Sequence, residues 1–364
     1  MKKYLFTMKY ILLIAAVCSV VVFSGCDDDD EGPPVFDGTI MAMIQADIYK
    51  QSAGASANVA LDSLAKLLNQ FPDLVDLLSG DEKQTLFAPS NQAFIALLAT
   101  PGFPANIADI NPDIIKGVLS YHVVAGENRR SMVCEWGTTG EDTYYTHPGA
   151  CGTAGTVQVI KSDGNCRLVT GSTNTDIIMT TTDLLADNGV VHIVESVMIP
   201  PAIGSSLTPI LPTIAATVLL SNDFKILAGL VTYADCNTTG VTPLVNILAN
   251  PAGTMTGFFP PDAVFSGGGL GSTPAAVLAS LAGLGIDTGP EVRVLILNHI
   301  YAADVLNAAE VTAAVGTNLT MLSTASYAIT SGPLAIGGKP IVVPDADATR
   351  TNGIVHAIGG ILGL

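Results

Sequence analysis

Three short motifs occur twice in this chain, in the same order, and that repetition limits the fold more than any other feature. Thr85-Leu86-Phe87-Ala88-Pro89-Ser90-Asn91-Gln92-Ala93-Phe94 is matched by Gly257-Phe258-Phe259-Pro260-Pro261-Asp262-Ala263-Val264-Phe265. Leu119-Ser120-Tyr121-His122-Val123-Val124 is matched by Leu297-Asn298-His299-Ile300-Tyr301. Asn188-Gly189-Val190-Val191-His192-Ile193-Val194 is matched by Asn352-Gly353-Ile354-Val355-His356-Ala357-Ile358. A fixed order of separated motifs is the mark of a duplicated structural unit. Two copies of one domain are therefore expected, over residues 40–202 and 207–364, joined through Pro200-Pro201-Ala202-Ile203-Gly204-Ser205-Ser206.

Within the first copy, periodicity puts helices first and strands later. Ile40, Met43, Ile44 and Ile48 share one helical face, as do Leu61, Leu64, Leu67 and Leu68. Leu86–Ala88 reads as a short buried strand stopped by Pro89, with Ser90 or Asn91 capping a helix that holds Phe94, Leu97 and Leu98. Asn111-Pro112 opens a helix that runs towards Tyr121-His122. Strands follow at Val157–Val159, Ile177–Met179 and Val190–Ile199, with Asp187-Asn188-Gly189 as a tight turn. The second copy repeats this plan and ends in the strand Ile354–Ile358. Helices preceding strands give an α+β class.

The N-terminus has a separate logic. Lys2, Lys3 and Lys9 precede an apolar stretch, Ile11–Phe23, too short to cross a bilayer comfortably and suited to a signal peptide over residues 1–25. Ser24-Gly25-Cys26 resembles the bacterial lipoprotein cleavage box, in which the Cys26 thiol is acylated and becomes the new N-terminus. Asp27-Asp28-Asp29-Asp30-Glu31 must be solvated, and residues 26–39 read as an acidic tether. That run also resembles the acidic export signal of Bacteroidetes surface lipoproteins. The expected place is the outer membrane, lipid-anchored and facing the cell exterior, with membrane contact through the anchor only. A formal charge of −17 repels phosphate backbones and sets nucleic acid aside as a partner.

The repeated motifs resemble the fasciclin domain family, whose signatures are the Thr-Leu-Phe-Ala-Pro-Ser-Asn-Gln-Ala-Phe run, a Tyr-His pair after a helix, and Asn-Gly-Val-Val-His followed by Pro200. The second copy departs from the pattern at Phe259, Pro261 and Asn298. The resemblance implies two tandem domains, each a β-wedge of about seven strands with helices packed around it. It also implies an extracellular adhesion or matrix-binding role without catalysis. In the family the Tyr-His pair is linked to receptor binding, which makes Tyr121 and His122 candidate binding residues.

Read for chemistry, the motifs are sparse. His122, His192, His299 and His356 sit among apolar neighbours with no carboxylate at a recurring spacing, which fits buried neutral imidazoles bonded to backbone groups. Gly-x-Ser-x-Gly and His-Glu-x-x-His are absent. Gly267–Thr273 looks like a phosphate loop without its Lys, and Thr273-Pro274 reads as a helix cap followed by Pro in the first turn. No cofactor and no metal are implied.

An insertion running from Cys134 to Cys151 distinguishes the first copy. It holds the chain's one Trp, Trp136, with Tyr144, Tyr145 and His147. Three Cys and a His are a possible zinc set, but an exported protein favours disulfides. Cys134–Cys151 is the expected bridge, with the pairing of Cys166 and Cys236 left open. Trp136, Tyr144 and Tyr145 either form a projecting contact surface or cover the adjoining sheet. The expected function is non-enzymatic adhesion to matrix, a cell-surface protein or a glycan; the alternative is a glycan-binding accessory protein of the outer membrane whose exposed aromatics stack on sugar rings.

Overall fold

The computed structural model describes residues 35–46, 60–146, 154–162, 165–170, 174–176, 183–200, 210–342 and 350–364. Cys26, the tether up to Pro34, His147, Cys151 and the expected strand 177–179 lie outside these residues. Among the described residues there are two sheets, one in each half of the chain.

The first sheet has eight strands: β1 (Gln84–Pro89), β2 (Val123–Ala125), β3 (Glu141–Thr146), β4 (Ala154–Ser162), β5 (Asn165–Val169), β6 (Asn174–Asp176), β7 (Leu184–Ala186) and β8 (Gly189–Val194). Its order is β6-β5-β4-β3-β2-β1-β8-β7. The second has seven: β9 (Met255–Phe259), β10 (Ile300–Tyr301), β11 (Asn318–Thr320), β12 (Ser326–Thr330), β13 (Ala335–Ile336), β14 (Lys339–Val342) and β15 (Gly353–Ile358), ordered β10-β9-β15-β14-β13-β12-β11. In each half the first and last strands pair in parallel at the centre, β1 with β8 and β9 with β15. The remaining strands are antiparallel to their neighbours. The ladder extends from β2 in one half and from β15 in the other. In the second half Leu322 N–H donates to Ile300 O at 2.9 Å and ties the far end back to β10.

Both central pairs are buried on two faces, which is why apolar residues stand on both sides of these strands instead of alternating with exposed polar ones. Period-two geometry sorts their side chains. Leu86, Ala88, Val191 and Ile193 join a large core beneath the helices. Phe87 and Val194 face a second cluster with Tyr121, Tyr145, Val157, Val159, Leu168 and Met198. Phe258 and Ile358 do the same in the other half, with Val311, Leu319, Ile329 and Ile336.

The helices begin where capping chemistry places them. Ser90 Oγ accepts the Ala93 N–H at 3.3 Å. Asn111 Oδ1 accepts the Asp113 N–H at 3.0 Å, ahead of a helix, Pro112–Tyr121, with Pro at its start. Thr273 caps Pro274–Gly283 through the Ala276 N–H, as expected from the sequence. Asn91 serves another element: its Oδ1 accepts the Ser63 N–H at 2.8 Å, pinning the helix Asp62–Leu68. Asp262 repeats the role on Ile226 N–H at 2.9 Å in the second half.

The last strand of the first half is shorter than its apolar run. It was expected over Val190–Ile199 and ends at Val194. Its partner β1 ends at the paired Pro89, which has no N–H to continue the ladder. The Met198 N–H donates to His122 Nε2 instead, at 2.9 Å.

Asn188 and Asn352 hold each half closed. Asn188 Oδ1 accepts the Ile40 N–H at 2.7 Å, and its amide donates to Leu78 O at 3.0 Å and Gly80 O at 2.8 Å. Asn352 does the same with Ile214 N–H, Leu248 O and Asn250 O, at 2.9, 2.8 and 3.0 Å. Each amide therefore joins the start of one helix to the end of another from the first residue before the closing strand. The Gly that follows is required by close approach. A Cβ at Gly189 would run into the Gln84 carbonyl oxygen, and one at Gly353 into that of Met255. Asn188→Ala and Asn352→Ala each leave two buried backbone groups and one part-buried one without their partner, and each is expected to cost about 2–4 kcal/mol. Urea denaturation checks this; a change below about 0.5 kcal/mol in both, the ordinary surface range, would show that the bracket is dispensable.

Candidate functional site

The four motif histidines form two pairs with matching partners, and all four are buried. His122 Nδ1–H donates to Val118 O at 2.7 Å while Nε2 accepts the Met198 N–H. His299 Nδ1–H donates to Leu295 O at 2.8 Å while Nε2 accepts the Leu362 N–H at 2.9 Å. A ring that donates from one nitrogen and accepts at the other is neutral, in one tautomer. Burial brings both rings down to about 4 from an ordinary 6.5, against the smaller upward pull of the Val118 and Leu295 carbonyls.

His192 and His356 lie on the central strands. Their Nε2 atoms meet Asn128 O at 2.8 Å and Leu306 O at 2.7 Å. Their rings stack on Phe87 and Phe258, each at 5.5 Å between centroids with 27° between planes. Thr85 and Thr256 hold the same loops from below. Thr85 Oγ1 accepts the Asn128 N–H at 2.8 Å, and Thr256 Oγ1 accepts the Leu306 N–H at 2.8 Å. In the first half a carboxylate joins this arrangement. Asp183 Oδ1 lies 3.3 Å from His192 Nδ1 and accepts the Arg130 N–H at 2.7 Å. Burial is the main cause holding the His192 pKa below its ordinary value.

These rings are buried, and each donates to or meets a backbone carbonyl, with His192 Nδ1 facing Asp183 as well. Their chemistry is structural. The same holds for Tyr121, where the expected receptor contact is corrected. Tyr121 and His122 are both fully buried, because the ring fills the second-face cluster and its hydroxyl donates to Thr156 O at 2.7 Å. Burial raises the Tyr121 pKa. Asn298 stands at the matching position of the other half and donates to Leu362 O at 3.4 Å.

The insertion of the first half divides between core and surface. Tyr145 is only 2% exposed and packs edge-on against Tyr121, with centroids 6.1 Å apart and planes at 82°. Burial pushes its hydroxyl up to about 12. It is a core residue and not the contact residue expected from its neighbours in sequence. Trp136 is half-buried, its ring edge-to-face with Phe87 at 6.0 Å. Tyr144 points to the opposite face of β3 and is 39% exposed. Sequence spacing placed Tyr144 and Tyr145 together; strand alternation separates them.

The expected Cys134–Cys151 bridge is also corrected. Cys134 bonds Cys166, with Cα atoms 5.5 Å apart. The helical turn Arg130–Val133 delivers Cys134 onto the same apolar cluster that Cys166 and Leu168, two apart on β5, both face. Packing of that helical turn on the face of β5 therefore decides the pairing, and not closure of the insertion.

Sequence reasoning read Asn188 only as a turn residue and passed over Thr85 and Thr256. The signal was present: a turn accepts Asn, Asp or Gly, yet both copies carry Asn, and both central first strands carry Thr two residues before a Phe.

Comparison with known proteins now adds a family. The Fasciclin domain family model matches residues 60–200. Residues 60–200 therefore carry a fasciclin domain. Protein sll1483 of Synechocystis is 32% identical over 129 residues, which are 35% of this chain and 62% of that protein. Immunogenic protein MPB70 of Mycobacterium bovis is 28% identical over 194 residues, 51% of this chain and 86% of its own length. A fasciclin-like arabinogalactan protein of Arthroderma benhamiae is 26% identical over 140 residues, 37% of this chain and 32% of that protein. Among solved structures, a FAS1 domain pair from the insect cell adhesion molecule fasciclin I covers 84% of this chain and 98% of its own, at 16% identity and a TM-score of 0.32. The second sheet, with its central parallel pair and its matching Asn, His and Thr brackets, makes the arrangement a tandem one.

Two outcomes follow from this geometry. The neutral His122 and His299 stabilise the fold fully above about pH 6.5, and the stabilisation is lost as the pH falls towards 4, because the unfolded rings take up protons first. Each contributes on the order of 3 kcal/mol over that interval, from the shift between 6.5 and about 4. The stability gap between wild type and a His122→Gln/His299→Gln variant should therefore shrink as urea titrations move from pH 7 to pH 4, and a pH-independent gap would contradict the assignment. Peptide mapping without reduction should recover Cys134 joined to Cys166, and Cys134→Ser with Cys166→Ser should destabilise by about 3–4 kcal/mol, from the entropy of closing a loop with a sequence separation of 32.

Proposed function

We propose that this protein is a non-enzymatic adhesion lipoprotein, anchored by an acylated Cys26 in the outer membrane and exposed to the cell exterior. Fasciclin domain proteins are surface proteins of the adhesion type, and both halves of this chain use their repeated polar motifs to bind their own backbone. Ser24-Gly25-Cys26 and the five acids behind it support the anchor and the outward-facing tether.

The observation that carries the binding reading is the split within the insertion. Tyr144 stays 39% exposed while the adjacent Tyr145 is buried, and exposed Met132, 51% accessible, lies on the turn before Trp136. Aromatic side chains are favoured at interfaces because they bury much area with few rotatable bonds, and Met because its flexible thioether adapts to the surface it meets. The partner is matrix, a cell-surface protein or a glycan.

Tyr144→Ala with Met132→Ala should reduce attachment of protein-coated beads to matrix at least several-fold while melting is unchanged, since neither side chain is in a core. Full attachment removes the site from consideration. A glycan array run with the same two proteins separates the glycan reading: Tyr144-dependent binding to immobilised sugars would replace adhesion to protein. Cys26→Ala should release soluble protein, and protease should digest the wild type on intact cells; resistance on intact but not lysed cells would overturn the outward placement.

A further inference from the structure

Domains joined by a linker are expected to move relative to one another unless a large apolar interface holds them. Three independent features of this chain oppose such motion. The first is a backbone exchange. Asn111 N–H donates to Leu220 O at 2.7 Å, and Asn222 N–H donates to Asp109 O at 2.8 Å, around an antiparallel bridge between Ile110 and Ser221. These bonds join the entry of the helix Pro112–Tyr121 in the first half to the exit of the helix Ile214–Leu220, which Asn352 brackets into the second half.

The second is apolar continuity. Ile110, Val197 and Ile199 belong to the same buried cluster as Ile210, Leu211, Ile214 and Leu220. Leu220 closes a wholly apolar hollow whose other walls include Phe103, Ile107, Ile110 and Ile114. The third is a close approach. Gly102 lies at φ +83°, and a Cβ there would come within 2.8 Å of Leu211 O. The Arg350 guanidinium reaches across the same place, donating to Thr217 Oγ1 at 3.1 Å and to Gly102 O and Leu211 O, each at 3.4 Å.

From these features we infer that the two fasciclin halves are a single rigid and cooperative unit, keyed at 109–111 against 220–222 and clasped at Gly102 by Arg350. The seam makes the first half's contact surface and whatever the second half presents parts of one body at fixed spacing. Simultaneous engagement of both halves then depends on matched geometry in the partner and not on linker length.

Calorimetry on the full chain, with amide hydrogen exchange, tests this. Wild type should melt in one transition whose calorimetric and van't Hoff enthalpies agree, and the Asn111 and Asn222 amides should exchange only with global unfolding. Gly102→Val drives a side chain into Leu211 O and should split the transition in two, with protection lost at Asn111 and Asn222 while the sheet amides stay protected. Arg350→Ala should act in the same direction, and it keeps the test usable should Gly102→Val not fold. Gly240→Val, at a positive φ with no neighbour within 4 Å, controls for backbone strain alone and should keep one transition. Two transitions in wild type, loop-like exchange at Asn111 and Asn222, or one transition with full protection in both seam variants would each overturn the inference.

Discussion

Everything in each half rests on the parallel pairing of its first and last strands. β1 and β8 are far apart in sequence, so the chain between them must be ordered before that contact forms, at a considerable entropic cost. Parallel strands buried on two faces also bring polar backbone into the core with no water to satisfy it. Asn188 and His122 answer this constraint. The amide satisfies a helix start and a helix end, and the imidazole satisfies a helix carbonyl and the N–H of the segment leaving the closing strand. Asn352 and His299 repeat the solution.

The halves differ where the brackets leave room. Tyr121 fills the second-face cluster of the first half together with Tyr145, and the disulfide and the Trp136–Phe87 contact seal the same layer. In the second half Asn298 replaces the Tyr, and the layer is built around Phe258 from mostly aliphatic residues such as Val311, Leu319 and Ile329. The insertion is thus mostly structural, and it leaves one aromatic strand residue, Tyr144, at the surface. The tandem arrangement gains a further property from the seam, where backbone bonds and a continuous apolar core join what the sequence presents as two units.

The repeat, the α+β class, the helix starts at Ser90, Asn111 and Thr273, and the buried state of the four histidines were legible in the sequence. Each depends on local chemistry: a cap is read within three residues, and an apolar neighbourhood around a His is read within one strand. The closing strand was overread because its apolar run continues to Ile199, whereas its length is set by Pro89 on a distant partner.

What the sequence alone determined was that the chain is duplicated, where its helices begin, and which residues line its cores, since periodicity and capping act over a few residues. Only the tertiary structure decided which face of a strand each aromatic takes beside its neighbours, which Cys meets Cys134, what Asn188 and Asn352 hold, and that the halves share a core. Those outcomes depend on strand register and on atoms brought together across more than a hundred residues of chain, as Ile40 and Asn188 are, and no local pattern encodes such a distance.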